Sequence, residues 1–131
     1  MSQKILLDTG IWAQSLLGSH GLSAEAILKI RAATTVYISP ISVYEIGQKC
    51  RLGKWNEMLP YLERLPDLVK DQGAYLSQLS PEILLEASVM KWEHRDPFDR
   101  IIAATATRNA LHVVTTDRAL SDYLGSNAVT N

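Results

Sequence analysis

The chain has one cysteine, Cys50, in 131 residues, which excludes an internal disulfide and any zinc cluster built on several thiolates. It also lacks charge bias. Lys and Arg number 13 against 14 Asp and Glu, a formal net charge of −1, so no bulk cationic field is present to hold nucleic acid non-specifically. Any nucleic-acid role must be local. Long apolar runs are missing too: Asp8 cuts the only N-terminal candidate, and neither a signal peptide nor a spanning helix is readable. A cytoplasmic protein without membrane attachment is expected. Gly10, Gly18, Gly21 and Gly53 form neither a P-loop nor a dinucleotide fingerprint, and no G-x-S-x-G elbow occurs. His20, His94 and His112 lack zinc-ligand spacing among themselves. An aspartyl-phosphate enzyme would place a second Asp just beyond Asp8, where this chain has Thr9-Gly10.

What is present is a single domain's worth of core, with 47% hydrophobic residues spread over 1–131. Ile5-Leu6-Leu7 and His112-Val113-Val114 are short apolar runs bounded by turn formers, the pattern of strands covered on both faces by helices. Val36-Tyr37-Ile38 and Ala74-Tyr75-Leu76 are their companions, and Ala128-Val129 carries a weaker strand signal. Segments with helical spacing lie between, so a parallel α/β sheet is expected. Ser39-Pro40 and Ser80-Pro81 each offer a hydroxyl cap followed by proline at the first helical position. Apolar pairs in staple spacing, Ile38 with Val43 and Leu79 with Leu84, reinforce both starts, and Leu22-Ser23 with Ile27 repeats the device without proline. Between Lys54 and Lys70 the helical pattern of Trp55, Leu59, Leu62 and Leu65 is interrupted by Pro60 and Pro66.

Five acids stand in telling places. Asp8 ends the first apolar run and Asp117 ends the run Val113-Val114-Thr115-Thr116, where open α/β sheets bind ligands outside the strands' carboxyl ends. The bland alternative is that both cap the helices that follow. Glu45 shares a helical stripe with Ser42 and Lys49, and its bland reading is an ordinary pair with Lys49 one turn on. Asp96-Pro97 repeats the cap-plus-proline device. Asp99 fits a capping box less well, since its short side chain reaches back poorly and such boxes prefer Glu or Gln. Together the acids argue more than they do singly, because carboxylates converging in one cleft repel and destabilise the fold unless a cation compensates. Oxygen ligands select hard ions, Mg²⁺ first and Mn²⁺ next, and such a site suits phosphodiester hydrolysis.

These residues resemble the PIN-domain family, specifically VapC-type toxins of type II toxin–antitoxin pairs, over nearly the whole length. Leu6-Leu7-Asp8-Thr9 is similar to the family's first strand and acid. Ser39-Pro40-Ile41-Ser42-Val43-Tyr44-Glu45-Ile46, with Lys49 and Leu52-Gly53-Lys54, resembles its second-acid helix. The most specific match is His94-Arg95-Asp96-Pro97-Phe98-Asp99-Arg100 followed by Ile101-Ile102-Ala103-Ala104, and Val113 to Asp117 resembles the closing acid motif. The resemblance implies a three-layer α/β/α sandwich around a parallel four- or five-stranded sheet and a Mg²⁺- or Mn²⁺-dependent endoribonuclease. Asp8, Glu45, Asp99 and Asp117 become the metal-binding and catalytic quartet: Asp99 a principal ligand, Asp8 a shared ligand at the strand end, Glu45 a ligand or the group orienting the attacking water, Asp117 the most peripheral. Thr9, Thr115 or Thr116 would hydrogen-bond carboxylates or waters. Asp96 belongs to the motif without needing to touch metal, and Lys49 and Arg100 are candidates for phosphate contact.

Gly10 departs from relatives that place a polar side chain two residues after the first acid, which bears on substrate choice and rate. The family further implies RNA as substrate, homodimerisation, and a VapB-type antitoxin whose C-terminal segment lies across apolar helices, with Trp12, Leu16, Trp55, Leu59 and Leu62 as candidates for that groove. Two rivals stand beside this reading: a catalytically silent PIN-like binding module, and a nuclease acting on DNA as well as RNA.

Overall fold

The computed structural model describes residues 3–18 and 21–130; His20 lies outside them. Five parallel strands, β1 (Lys4–Leu7), β2 (Thr35–Ile38), β3 (Tyr75–Leu76), β4 (His112–Thr115) and β5 (Ala128–Thr130), lie in the order β3-β2-β1-β4-β5. The chain builds outward from β1 on one side through β2 and β3, then crosses to the other side for β4 and β5. That reversal makes the carboxyl ends of β1 and β4 the switch point where open α/β sheets hold their ligands.

Alternation along the strands divides the core. Ile5, Leu7, Ile38 and Val114 face one layer, made by α1 (Thr9–Leu16), α2 (Ala24–Ala32), α3 (Pro40–Arg51), a 3-10 segment (Asn56–Arg64) and α4 (Leu65–Asp71). Leu6 and Val113 face the other, where α6 (Pro97–Asn109) and α7 (Arg118–Leu124) supply Ile102, Ala103, Ala106, Leu120 and Leu124. Outside α6 lies α5 (Pro81–Val89), packing Ile83 and Ala87 on Ala104. The three-layer α/β/α sandwich on a parallel sheet is therefore what the chain adopts, with five strands.

The helix starts follow their local chemistry. Ser39 Oγ accepts from the Ile41 N–H and Ser80 Oγ from the Ile83 N–H, each before a proline that has no N–H to satisfy. Ser23 caps α2 through the Ala26 N–H. Two expectations need correction. The run Ala74-Tyr75-Leu76 is not covered on both faces: β3 has only two residues, at the sheet edge, with Tyr75 and Leu76 62% and 52% exposed. Trp12 does not line a groove: it is fully buried, and its Nε1–H donates to Gln72 Oε1 at 2.8 Å. Leu59, by contrast, stands half exposed. Among the described residues no helix is long and apolar enough to cross a membrane.

Two features fix the connection that leads into α6 and the turn that leaves it. Arg100 donates from Nε to the Ala87 carbonyl (2.8 Å), from Nη1 to Trp92 and His94 (2.8 and 2.9 Å), and from Nη2 to Met90 (2.6 Å). One planar guanidinium thus closes the carboxyl end of α5 and pins the loop before α6. At the other end, Ala110 is left-handed (φ 54°, ψ 47°), the sole non-glycine with positive φ among the described residues. Its strain is held by the Leu111 N–H donating to the Ala106 carbonyl.

Arg100→Lys should cost about 2 kcal/mol, because a lysine cannot reproduce the fork and leaves carbonyls unpaired; an unchanged urea midpoint would sink this assignment. Ala110→Gly should gain about 1 kcal/mol by removing the Cβ penalty of the left-handed conformation, also read from urea unfolding, and a loss would show that the turn carries no strain.

Candidate active site

The acids meet at the switch point because separate elements deliver them there. Asp8 follows β1 directly and opens α1, with Oδ1 accepting from the Thr9 N–H at 2.8 Å and Oδ2 from the Thr115 hydroxyl at 2.6 Å. Thr115 Oγ1 also accepts from the Asp117 N–H, so one residue ties the end of β1 to the turn after β4. Asp117 opens α7, its Oδ1 accepting from the Leu120 N–H at 2.9 Å. Both aspartates therefore cap helices, as the bland reading has it, and both stand at strand ends as well. Thr9 is buried, with its hydroxyl 2.8 Å from that of Ser42, which locks α1 to α3. Thr116 is exposed and follows β4.

From α3, Glu45 enters the cleft buried, 7% exposed, and is met by Lys49 Nζ at 2.8 Å. The pair is not the solvated one that its spacing alone describes: the ammonium also lies 5.3 Å from the centre of the Trp55 ring. From α6 comes Asp99, likewise 7% exposed. Asp96 behaves as a cap, its Oδ1 accepting from the N–H groups of Phe98 and Asp99. Gly10 sits in the first turn of α1, where an added Cβ would meet no atom within 4 Å, so steric crowding is not what keeps a side chain out.

Sequence reasoning missed His94. Its Nε2 lies 2.6 Å from Asp99 Oδ2, and one ligand-type atom each from His94, Asp99 and Asp117 falls within 4.8 Å of the other two. Spacing of the histidines among themselves does not reveal it, because its neighbours are carboxylates. The signal was a histidine two residues before the α6 cap, where a side chain can fold back over the helix's first turn. Arg100 is the opposite case. Expected as an auxiliary substrate contact, it has its guanidinium committed to four backbone carbonyls and is withdrawn from that role.

Electrostatics report the crowding. Burial pushes the Asp99 carboxyl up to about 7, against the pull of the His94 hydrogen bond, and Asp8, Asp96 and Asp117 add like-charge repulsion. Burial also raises Asp8, opposed by hydrogen bonds from Thr115 and Thr9 and reinforced by the charges of Glu45 and Asp117. His94 is raised in turn, chiefly by its bond to Asp99. Such a set of converging carboxyl oxygens, short of cations, fits a hard divalent ion. Asp99 and Asp117 stand close enough to share one, with Asp8 and Glu45 in the same field.

Comparison with known proteins bears on the fold and the family. Among solved structures, a toxin–antitoxin complex from Klebsiella pneumoniae is similar over 96% of this chain and 96% of its own, with 19% identity and a TM-score of 0.61. FitAB bound to an IR36 DNA fragment is similar over 96% of this chain and 94% of its own, at 24% identity and a TM-score of 0.57. FitAcB from Neisseria gonorrhoeae is similar over 96% and 95%, at 21% identity and a TM-score of 0.57. At these identities the likeness is one of fold. No curated protein matches the chain. The family model for the PIN domain matches residues 5–124, almost the whole described chain, and the protein therefore belongs to the PIN-domain family.

Proposed function

We propose that this protein is a metal-dependent endoribonuclease of the VapC type, the toxin of a type II toxin–antitoxin pair. The observation that carries the reading is the convergence of Asp8, Glu45, Asp99 and Asp117 at the carboxyl ends of β1 and β4, three of them buried and poor in compensating cations. Similarity to structures of toxin–antitoxin proteins supports the toxin half of it. An antitoxin partner, an RNA substrate, a homodimeric state and a cytoplasmic location belong to the same proposal.

Asp99 and Asp117 would hold the ion, Mg²⁺ or Mn²⁺, with Asp8 as a further ligand. When bound, a divalent ion offsets charge on the attacked phosphate and makes water a better nucleophile. The chain's own groups do the positioning. Thr115 and the Thr9 N–H fix both oxygens of Asp8, so its carboxylate keeps one orientation. Lys49 holds Glu45 by one oxygen, leaving the other to orient water. The same ammonium, half exposed, and Arg95 and Arg118 beside the acids offer phosphate contacts.

Asp99→Asn should reduce RNA cleavage about a hundredfold or more, and cleavage at the wild-type rate, or wild-type cleavage undiminished by EDTA, would refute the mechanism. The same variant should stabilise the metal-free protein. Asp99 binds its proton more tightly folded than unfolded, so its contribution is favourable below about pH 4 and is lost as pH rises through about 7. Urea melts in EDTA should therefore show a larger gain for the variant at pH 8 than at pH 5; equal gains would contradict the raised carboxyl. Finally, an oligoribonucleotide should be cut and its 2′-deoxy equivalent left intact, since the 2′-OH is the feature by which a protein separates the two. Equal cutting of both would replace the ribonuclease with a general nuclease.

A further inference from the structure

The donor set at the switch point is not made of oxygen alone. His94 Nε2, an Asp99 oxygen and an Asp117 oxygen lie within 4.8 Å of one another, and these are the only three metal-ligating side chains so grouped among the described residues. We infer that His94 is itself a ligand of the ion this site holds, and that its imidazole makes the site prefer Mn²⁺ to Mg²⁺. The inference rests on the metal-dependent reading proposed above and adds to it both a ligand and a selectivity.

Three observations support it. The histidine is held in place before any ion arrives: its ring packs at 4.9 Å against Trp92, which stacks in turn at 4.4 Å on Tyr123, and the backbone carbonyls of both Trp92 and His94 are held by Arg100. A ring fixed from the side and from behind presents its Nε2 edge in one direction, as pre-organised ligands do. The second observation is the origin of the group. His94 comes from the loop before α6, Asp99 from the first turn of α6, and Asp117 from the far side of β4, so no local capping motif explains why the three meet. A partner for Asp99 alone would need no Asp117 beside it. The third is chemical. Mg²⁺ takes oxygen ligands and keeps its waters, whereas imidazole nitrogen binds first-row transition ions well. One nitrogen among carboxylates tilts the site toward Mn²⁺ without excluding Mg²⁺.

The test uses the full chain and the two ions separately. By titration calorimetry, the wild-type protein should bind Mn²⁺ about tenfold or more tightly than Mg²⁺. His94→Gln keeps an N–H to donate to Asp99 but offers no imidazole; it should lose about tenfold or more in Mn²⁺ affinity while Mg²⁺ affinity changes by about twofold at most. Electron spin-echo spectra of the Mn²⁺-loaded wild type should show coupling to an imidazole nitrogen. That measurement needs no variant to fold. Unchanged Mn²⁺ affinity in the glutamine variant, equal losses for both ions, or no nitrogen coupling would each overturn the assignment of His94. If neither ion binds the wild type at all, the metal-dependent reading falls with it; if both bind and RNA is cut without nitrogen coupling, only the role of His94 falls.

Discussion

Like-charge repulsion at one edge of the sheet is the constraint around which the molecule is arranged. The strand order makes β1 and β4 neighbours, so the acids that follow them cannot avoid each other. Two helices from opposite layers then add Glu45 and Asp99. Each carboxylate is given a partner by its own surroundings: Thr115 and the Thr9 N–H for Asp8, Lys49 for Glu45, His94 for Asp99, the Leu120 N–H for Asp117. None of these partners removes the crowding, as the raised carboxyls of Asp8 and Asp99 record. The partners make an acidic cleft tolerable in the folded chain and leave it short of cations.

Capping a helix does not withdraw an aspartate from the cleft. A carboxylate oxygen that accepts from a helix's first N–H groups still leaves the carboxylate standing at the sheet edge. Asp117 shows this most plainly, with Oδ1 on the Leu120 N–H while its carboxylate still reaches the group formed with His94 and Asp99. The two readings posed by sequence, cap or cleft acid, are compatible in the geometry of the switch point.

Much of this was readable in the sequence because it rests on local chemistry. Ser-Pro and Asp-Pro pairs marked three helix starts, and short runs of Ile, Leu and Val marked β1 and β4, since each signal lies within a few residues. What was not readable depends on tertiary neighbours. No local pattern says that Arg100 turns toward α5 rather than the cleft, or that Trp12 is fully enclosed and bonded to Gln72, sixty residues on. The 3-10 segment over Asn56–Arg64 escaped because two prolines break the α pattern without specifying what replaces it. His94 escaped because its partners are carboxylates reached through a fold, not histidines at a fixed spacing.

The hydrogen bond from Thr115 to Asp8 spans 107 positions of the chain, and it has a consequence for synthesis. β1 lies at the middle of the sheet, yet its neighbour β4 is made only after β2, β3 and the helices between them. A nascent chain emerging from the ribosome therefore carries Asp8 and Glu45 long before the residues that complete their cleft exist. The same long closure makes folding slower than local contacts would allow, so the cleft is among the later features of the fold to form.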